Sequence, residues 1–225
     1  TLDGLIKHNG SINDSSDIEI IIGLKNFSNK INLKNSPSLE SQISALSDDI
    51  AYNNHDIQDG IRAKMFNLEE LMEISFFKDI CKNYTKKYKG INEDILIYQI
   101  IRDSINLMVK DLIKNTIRNL KNNRIKTIND VYNSHEFLVS LSNKYKIIEE
   151  EIKSFLKIKM YNNLEVVSKN NEGKKIISFL FNTLKKNPKK FLHKDQLKNN
   201  INRNIADFIS GMTDRYAINL YKNLK

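Results

Sequence analysis

The chain has 225 residues and a net charge of +9. This charge either suits a polyanionic partner such as a nucleotide or nucleic acid, or it reflects a Lys- and Asn-rich composition alone. Its single cysteine, Cys81, excludes an internal disulfide and a cysteine-based metal cluster, and it fits a reducing cytoplasm. No apolar run approaches the roughly 18 residues of a membrane span, and few Gly, two Pro and no Trp favour an all-α protein.

The first residues, 1–8, have the apolar spacing of a helix end, and Gly10 follows as a candidate C-cap. Residues 11–35 are polar and irregular apart from an apolar patch at 18–22. That patch fits either a short strand or a packed loop, so no element is assigned to this region.

Residues 37–60 are predicted to form one helix, because Pro37 and Ser38 give a start signal and Gly60 gives a stop signal. At about 100° per residue, one side of this helix is apolar and is expected to face the core. The apolar side consists of Ile43, Leu46, Ile50 and Ile57. The opposite side, called here the acid face, consists of Asp48, Tyr52, His55, Asp56 and Asp59.

The acid face has two interpretations. It is either a solvated polar surface or a site for a metal or a substrate, since crowded carboxylates repel one another unless a cation or a donor offsets them. The spacing of the residues alone does not decide between these two.

Further along, residues 68–88 are predicted to be helical, with Cys81 as a buried small hydrophobe rather than a nucleophile. The longest helix is predicted over 92–120, where the apolar stripe is so wide that we expect burial on two sides, in the core or at a subunit contact. A third helix is predicted over 147–160.

Another amphipathic helix is predicted to begin at Ile176 and to end near Pro188, which disfavours helix at the residue before it. A basic cluster lies at its end and is either a solvated terminus or a nucleic-acid surface; it consists of Lys185, Lys186, Lys189 and Lys190. Residues 203–221 read as helical with Gly211 in the middle, which predicts close packing or close approach of a ligand there.

Two blocks of the chain resemble the HD-domain deoxynucleoside triphosphate triphosphohydrolases, which are the bacterial dGTPase-like enzymes and their mammalian relative. Within residues 38–59 the block reads SLExQ followed by DDIAYNxHDxxD, and within 203–221 it reads RxIADFISGMTDRYAxxLY. Weaker blocks lie at 2–10, 60–71 and 153–166, so the resemblance spans nearly the whole chain outside 11–35.

The resemblance implies an all-α, irregular helical bundle: an HD domain with a C-terminal helical extension. This chain, residues 1–225, would be a single α-helical unit and the C-terminal part of such an enzyme, with residues 1–66 as the end of the HD core and 67–225 as the C-terminal helical region. The first histidine and the His-Asp doublet of the family would then lie outside the chain, and a start at Thr1 without Met suits a fragment.

The resemblance also implies roles for three residues of the acid face. Asp48 would be the last ligand of a divalent metal, Mg, Mn or another transition metal, while Tyr52 and Asp56 would contact the deoxyribose. Their i, i+4, i+8 spacing stacks them on one helix face. The pair His55-Asp56 is not the doublet, because the doublet of the family comes well before this helix; no catalytic residue is assigned in the chain.

Three cations are candidates for phosphate contacts. Lys7 lies in one of the weaker blocks, Arg62 follows the acid face, and Arg215 lies in the last block. Arg62 would alternatively form an ion pair with Asp59, and Arg215 would alternatively form a structural ion pair. His8 is expected to be a cap or a supporting residue rather than a metal ligand.

The implied reaction splits a deoxynucleoside triphosphate, dGTP-like, into the deoxynucleoside and inorganic triphosphate. Deoxynucleoside triphosphates, further copies of the chain in a homo-oligomer, and single-stranded DNA are the expected partners. Asp49 stands where mammalian members have a lysine, so phosphate recognition must differ there. The alternatives are a helical nucleic-acid-binding or assembly module without turnover, and another HD-type nucleotide phosphohydrolase.

Overall fold

The computed structural model describes residues 2–7, 10–12, 32–198 and 200–225, and these ranges contain helices and no strand. The predicted all-α class is therefore confirmed. Two predictions, for His8 and for the apolar patch at 18–22, lie outside the described residues. None of the described helices is both long and apolar enough to cross a membrane.

The contacts divide the chain into two compact units, Thr1–Met160 and Tyr161–Lys225. This boundary does not coincide with the division at residue 66 that the resemblance implies, and that division stays a prediction. Each unit has its own apolar core.

The first unit contains seven described helices. They are α1 (Leu2–Ile6), α2 (Leu39–Arg62), α3 (Leu68–Leu71), α4 (Ser75–Lys87), α5 (Glu93–Asn122), α6 (Ile128–Tyr132) and α7 (Asn143–Leu156), followed by a π-helical turn (Lys157–Tyr161). Helix α2 packs on α5 and α7, and α4 packs on α5. Ile57, Phe77 and Ile100 are fully buried in the resulting core.

Helix α2 begins as predicted, because the Ser38 side chain accepts a hydrogen bond from the Ser41 N–H. The predicted stop at Gly60 was wrong, since the helix continues to Arg62. Beyond it, Lys64 takes the left-handed conformation with φ 56°, and the Met65 N–H donates to the Gly60 carbonyl at 2.9 Å. This is a Schellman ending with lysine in the position that usually holds glycine.

Gly60 has a packing role instead. A Cβ atom there would lie 2.3 Å from an atom of the Phe66 ring, so only glycine leaves room for that ring. The Phe66 ring in turn meets the Phe155 ring edge-to-face at 4.8 Å between centroids.

The predicted helix over 68–88 is divided in two. Asn67 and Glu70 form a reciprocal capping box that starts the short α3, and α4 begins only at Ser75. The predicted long helix is confirmed as the 30-residue α5, which Asn92 caps by accepting hydrogen bonds from two backbone N–H groups. It ends like α2, with Arg124 left-handed at φ 53°.

The second unit contains α8 (Leu164–Lys186), two 3-10 turns (Pro188–Lys190 and Lys194–Leu197), α9 (Ile201–Ser210) and α10 (Asp214–Leu224). Helix α8 packs on α9 and α10. It begins well before the predicted Ile176, because the Asn163 side chain caps it by accepting the Glu165 N–H at 2.9 Å. It ends before Pro188, as predicted.

The prediction that Gly211 lies in mid-helix was wrong. Gly211 is the exposed C-cap residue of α9 and has an ordinary φ of −80°. A Cβ atom there would make only ordinary van der Waals contacts with its own helix, so no close packing requires glycine. A new helix, α10, starts just beyond it because the Thr213 side chain accepts the Tyr216 N–H.

Candidate functional site

The acid face of α2 is turned away from the core of the first unit. Asp48, His55 and Asp59 are exposed, Asp56 is half-buried, and the Tyr52 side chain is 64% exposed. An aromatic side chain of that size on the surface is not needed for packing within the described residues. The predicted grouping of these residues on one helix side is what the helical geometry produces.

The opposite side of α2 fixes the orientation of the acid face. Ile50 and Ile57 are buried, as predicted, and the Asn54 side chain donates to the Ile50 carbonyl at 2.8 Å. The expectation for Ile43 was wrong, because its side chain is 45% exposed; it lies near the N-terminal end of the helix, where the described residues cover it only in part.

Gln42 is a structural residue that the sequence interpretation missed. Its side chain is buried, donates to the Pro37 carbonyl at 2.9 Å, and accepts from the Leu138 and Val139 N–H groups at 2.9 and 3.0 Å. One amide thus ties the first turn of α2 to a segment far away in sequence. The only local signal was a polar residue at the edge of the apolar side.

Asp49, next to the predicted metal ligand, takes part in an ion-pair network. Lys153 on α7 lies 3.2 Å from the Asp49 carboxylate and 2.7 Å from that of Glu149. Burial opposes the charged form of Lys153, but the hydrogen bonds and charges of Glu149 and Asp49 outweigh it and raise the lysine pKa. The Asp49 carboxylate is therefore compensated within the chain.

A cavity of about 310 Å³ borders α2 at Ala45 and Asp49, on the flank of the acid face. Its lining combines apolar side chains such as Val139 and Leu141 with charged ones such as Glu149. Its size and lining are within the range of small-molecule pockets. No residue of the sequence-predicted site lines it.

Asp48 is the residue of this chain that the resemblance assigns to a metal. Asp48 is an exposed oxygen donor of the type that Mg²⁺ and Mn²⁺ accept. Within the described residues, no group of three or more His, Cys, Asp or Glu side chains is arranged to hold a metal ion. The described residues therefore do not form a complete metal site, and the assignment of Asp48 as a ligand stays a prediction.

The three candidate phosphate contacts lie in different surroundings. The Lys7 side chain is only 2% exposed and its ammonium lies 2.7 Å from the Asp3 carboxylate. Arg62 and Asp59 form the predicted ion pair at 3.3 Å, and both side chains are well exposed. Arg215, in the second unit, is exposed in the first turn of α10, and no ion pair is found for it among the described residues. Within the first unit, neither Lys7 nor Arg62 is brought to Asp48 by a described contact.

Comparison with known proteins places the chain beside one group of relatives. The family described as "Phosphohydrolase-associated domain" matches residues 139–223. The chain is 66% identical over 224 residues to a "Deoxyguanosinetriphosphate triphosphohydrolase-like protein" of Pelagibacter ubique, covering 100% of this chain and 60% of the relative.

Proteins of the same name from Leptospira interrogans and Bartonella quintana are 37% and 34% identical over 230 and 234 residues. Each match covers 100% of this chain and 58% of the relative, so the chain spans somewhat under two thirds of the length of the curated relatives it matches. Over its whole length the chain is thus a homologue of part of the deoxyguanosinetriphosphate triphosphohydrolase-like proteins, and the predicted resemblance to this family is confirmed.

Proposed function

We propose that this chain is part of a metal-dependent enzyme that hydrolyses a deoxynucleoside triphosphate to the deoxynucleoside and inorganic triphosphate. Relatives that carry the name of such a hydrolase match the chain from end to end, which supports the reaction class. The assignment of residues 1–66 to the end of an HD core, and the location in the cytoplasm, stay predictions.

The observation that carries this proposal is the acid face itself. Asp48, Tyr52 and Asp56 are one turn apart on a helix whose other side is fixed in the core, and Tyr52 is turned outward at 64% exposure. In the proposed complex Tyr52 packs on the deoxyribose ring, at the place of a 2′-hydroxyl, and the Asp56 carboxylate accepts from the 3′-hydroxyl. Asp48 would hold a divalent cation together with ligands from outside the described residues.

The reaction breaks the bond between the α-phosphorus and the 5′-oxygen. Water adds its oxygen to the phosphorus and the deoxynucleoside leaves with a proton, so triphosphate is released intact. Arg62, on α2 itself, is available for the phosphates, since an exposed ion pair such as Arg62–Asp59 is worth little. Lys7 is the least available, because a phosphate contact would separate it from Asp3 in a buried setting.

Product analysis tests the proposal. The full natural protein containing this chain is mixed with the four deoxynucleoside triphosphates and Mn²⁺ or Mg²⁺, and the products are separated by anion-exchange chromatography. We expect triphosphate and deoxynucleoside as the products. Their formation should be lost in Asp48→Asn and retained in Asp59→Asn, which replaces a matched carboxylate on the same face. Monophosphate or diphosphate products would instead indicate another HD-type phosphohydrolase.

The proposed contacts with the deoxyribose are tested separately, through substrate preference and steady-state kinetics. Tyr52→Ala should raise the rate with ribonucleoside triphosphates relative to deoxynucleoside triphosphates, because space opens where the 2′-hydroxyl would lie. Asp56→Asn should raise KM more than it lowers kcat. If every triphosphate is left intact while single-stranded DNA binds tightly through the exposed basic cluster at the end of α8, the chain is a binding module and the proposal is wrong.

A further inference from the structure

Lys153 on α7 contacts the residue that directly follows Asp48. Its ammonium nitrogen lies 3.2 Å from a carboxylate oxygen of Asp49 and 2.7 Å from one of Glu149, which is one turn earlier on α7. Helix α7 packs on α2, so this ion pair joins two helices of the same core. It also brings a positive charge to the turn of α2 that carries Asp48, and the proposed function has so far given that charge no role.

Lys153 lies on the side of α2 where the proposed sugar contacts lie. At about 100° per residue, Tyr52 and Asp56 are turned by about 40° and 80° from Asp48 around the helix axis. Asp49 is turned by about 100° in the same direction, which places it at the border between the acid face and the buried side of α2. A ligand that lies along the acid face would therefore have Lys153 at its edge.

The position of this contact along the helix axis matches the phosphates rather than the sugar. Asp49 lies about 1.5 Å along the axis from Asp48, whereas Tyr52 and Asp56 lie about 6 Å and 12 Å along it. In the proposed complex the α-phosphate is held near Asp48, and the sugar lies further along, at Tyr52 and Asp56. The ion pair of Lys153 is thus level with the triphosphate.

The ammonium group of Lys153 has capacity for another partner. It carries three N–H donors, and the contacts with Asp49 and Glu149 use two of them. The lysine side chain is 48% exposed, so a ligand can reach it, whereas the Glu149 side chain is only 14% exposed and holds the ammonium from the side of α7. A lysine positioned by a carboxylate is an arrangement that binds nucleotide phosphates.

We propose that Lys153 donates a hydrogen bond to an oxygen of the substrate triphosphate, and that Asp49 and Glu149 position its ammonium for this contact. The inference rests on the proposed function, since a triphosphate is the ligand. Two carboxylates face one ammonium in this cluster, and the acid face adds further negative charge, so free triphosphate is repelled. The ligand is therefore the Mg²⁺ complex of triphosphate, in which the cation offsets these carboxylates.

Equilibrium binding of inorganic triphosphate tests the inference without turnover. The full natural protein containing this chain is titrated with triphosphate and Mg²⁺ in a calorimeter. We expect Lys153→Gln to raise the Kd at least about tenfold, because a charge-assisted hydrogen bond is lost. Lys153→Arg keeps the charge and should stay within about threefold of the natural Kd. The matched control is Lys144→Gln, an exposed lysine on the opposite side of α7, which should leave the Kd unchanged.

A charge-matched variant separates a direct contact from an effect of net charge. Lys153→Gln alone makes the cluster more negative by one charge, which would weaken triphosphate binding even without a contact. Lys153→Gln combined with Glu149→Gln has the net charge of the natural protein. We expect this double variant to remain at least about fivefold weaker than the natural protein, because the donor is still missing. Far-UV circular dichroism verifies that each variant is folded.

Three results would overturn the inference. They are no binding of triphosphate with Mg²⁺ by the natural protein, an unchanged Kd in Lys153→Gln, and recovery of the natural Kd in the double variant. The second would leave Lys153 as a structural link between α2 and α7.

Failure of this inference is distinguishable from failure of the proposed function, because calorimetry detects the contact and product analysis detects turnover. A natural protein that releases triphosphate, together with an unchanged Kd in Lys153→Gln, would contradict the inference alone. A natural protein that leaves every deoxynucleoside triphosphate intact, but binds triphosphate through Lys153, would contradict the proposed reaction alone.

Discussion

The two sides of α2 differ in the interactions that their side chains make within the chain. The inner side is determined within this chain, by apolar side chains, by the three hydrogen bonds of Gln42, and by the room that Gly60 leaves for Phe66. The acid face carries Asp48, Tyr52 and Asp56, and Tyr52 is largely exposed. One helix thus combines a rigid support with a surface on which Asp48 and Tyr52 are exposed, which is the arrangement that a binding site needs.

The largest expected effect is on the inner side, at Gln42. Gln42→Leu keeps the approximate volume but leaves the N–H groups of Leu138 and Val139 buried without an acceptor. We expect a loss of about 2–5 kcal/mol in the free energy of unfolding, measured by urea denaturation. Gln58→Leu, on the same helix, is the control and should change stability by less than about 0.5 kcal/mol. Equal losses in the two variants would contradict the role given to Gln42.

Gly60→Ala should have the next largest effect on the free energy of unfolding. The added methyl group meets the Phe66 ring, which cannot move without disturbing its contact with Phe155, so we expect a loss of about 1–3 kcal/mol. Gly173, in the open middle of α8, is the matched glycine. Gly173→Ala should instead stabilise by about 0.5–1 kcal/mol, because alanine is the better helix former. A gain in both variants would mean that the ring has room to shift.

An ion pair beside the core makes part of the stability of the protein depend on pH. The Lys159 ammonium 2.7 Å away, and the Asn67 N–H, hold the pKa of Glu70 below its usual 4.5. Stability from Glu70 is therefore present above pH 4.5 and is lost as the pH falls through the lowered value. The melting temperature of Glu70→Gln should depend less on pH than that of the natural chain between about pH 5 and pH 3. Glu69→Gln, one residue away and exposed, should follow the natural curve.

The smallest effect on stability is expected on the acid face. Asp48→Asn and Tyr52→Ala should each change the free energy of unfolding by no more than about 0.5 kcal/mol, since neither side chain supports the core. Chemical denaturation of both variants measures this. A loss above about 1 kcal/mol would show that the acid face is packed within the chain, and it would remove the basis for assigning it to a ligand.

The acid face could be predicted from sequence because it depends only on helical periodicity within α2. The role of Gln42 could not, since the N–H groups that donate to its side-chain oxygen belong to residues 138 and 139 and are brought there by the tertiary fold. Gly60 looked like a helix stop for the same reason: its meaning depends on where the Phe66 ring packs. The break after Gly211 was readable, because Thr213 followed by an acidic first turn is a helix-start signal.

The left-handed residues that end α2 and α5 bear on how this protein tolerates change. Lys64 and Arg124 occupy positions where glycine has no steric penalty, and a replacement by glycine should gain about 0.5–1 kcal/mol at each. The chain therefore keeps a reserve of stability at two helix ends, which glycine substitutions would make available. Such a reserve would let later destabilising changes at a ligand site be accommodated without loss of the fold, so these termini are the natural first targets for engineering a more robust variant.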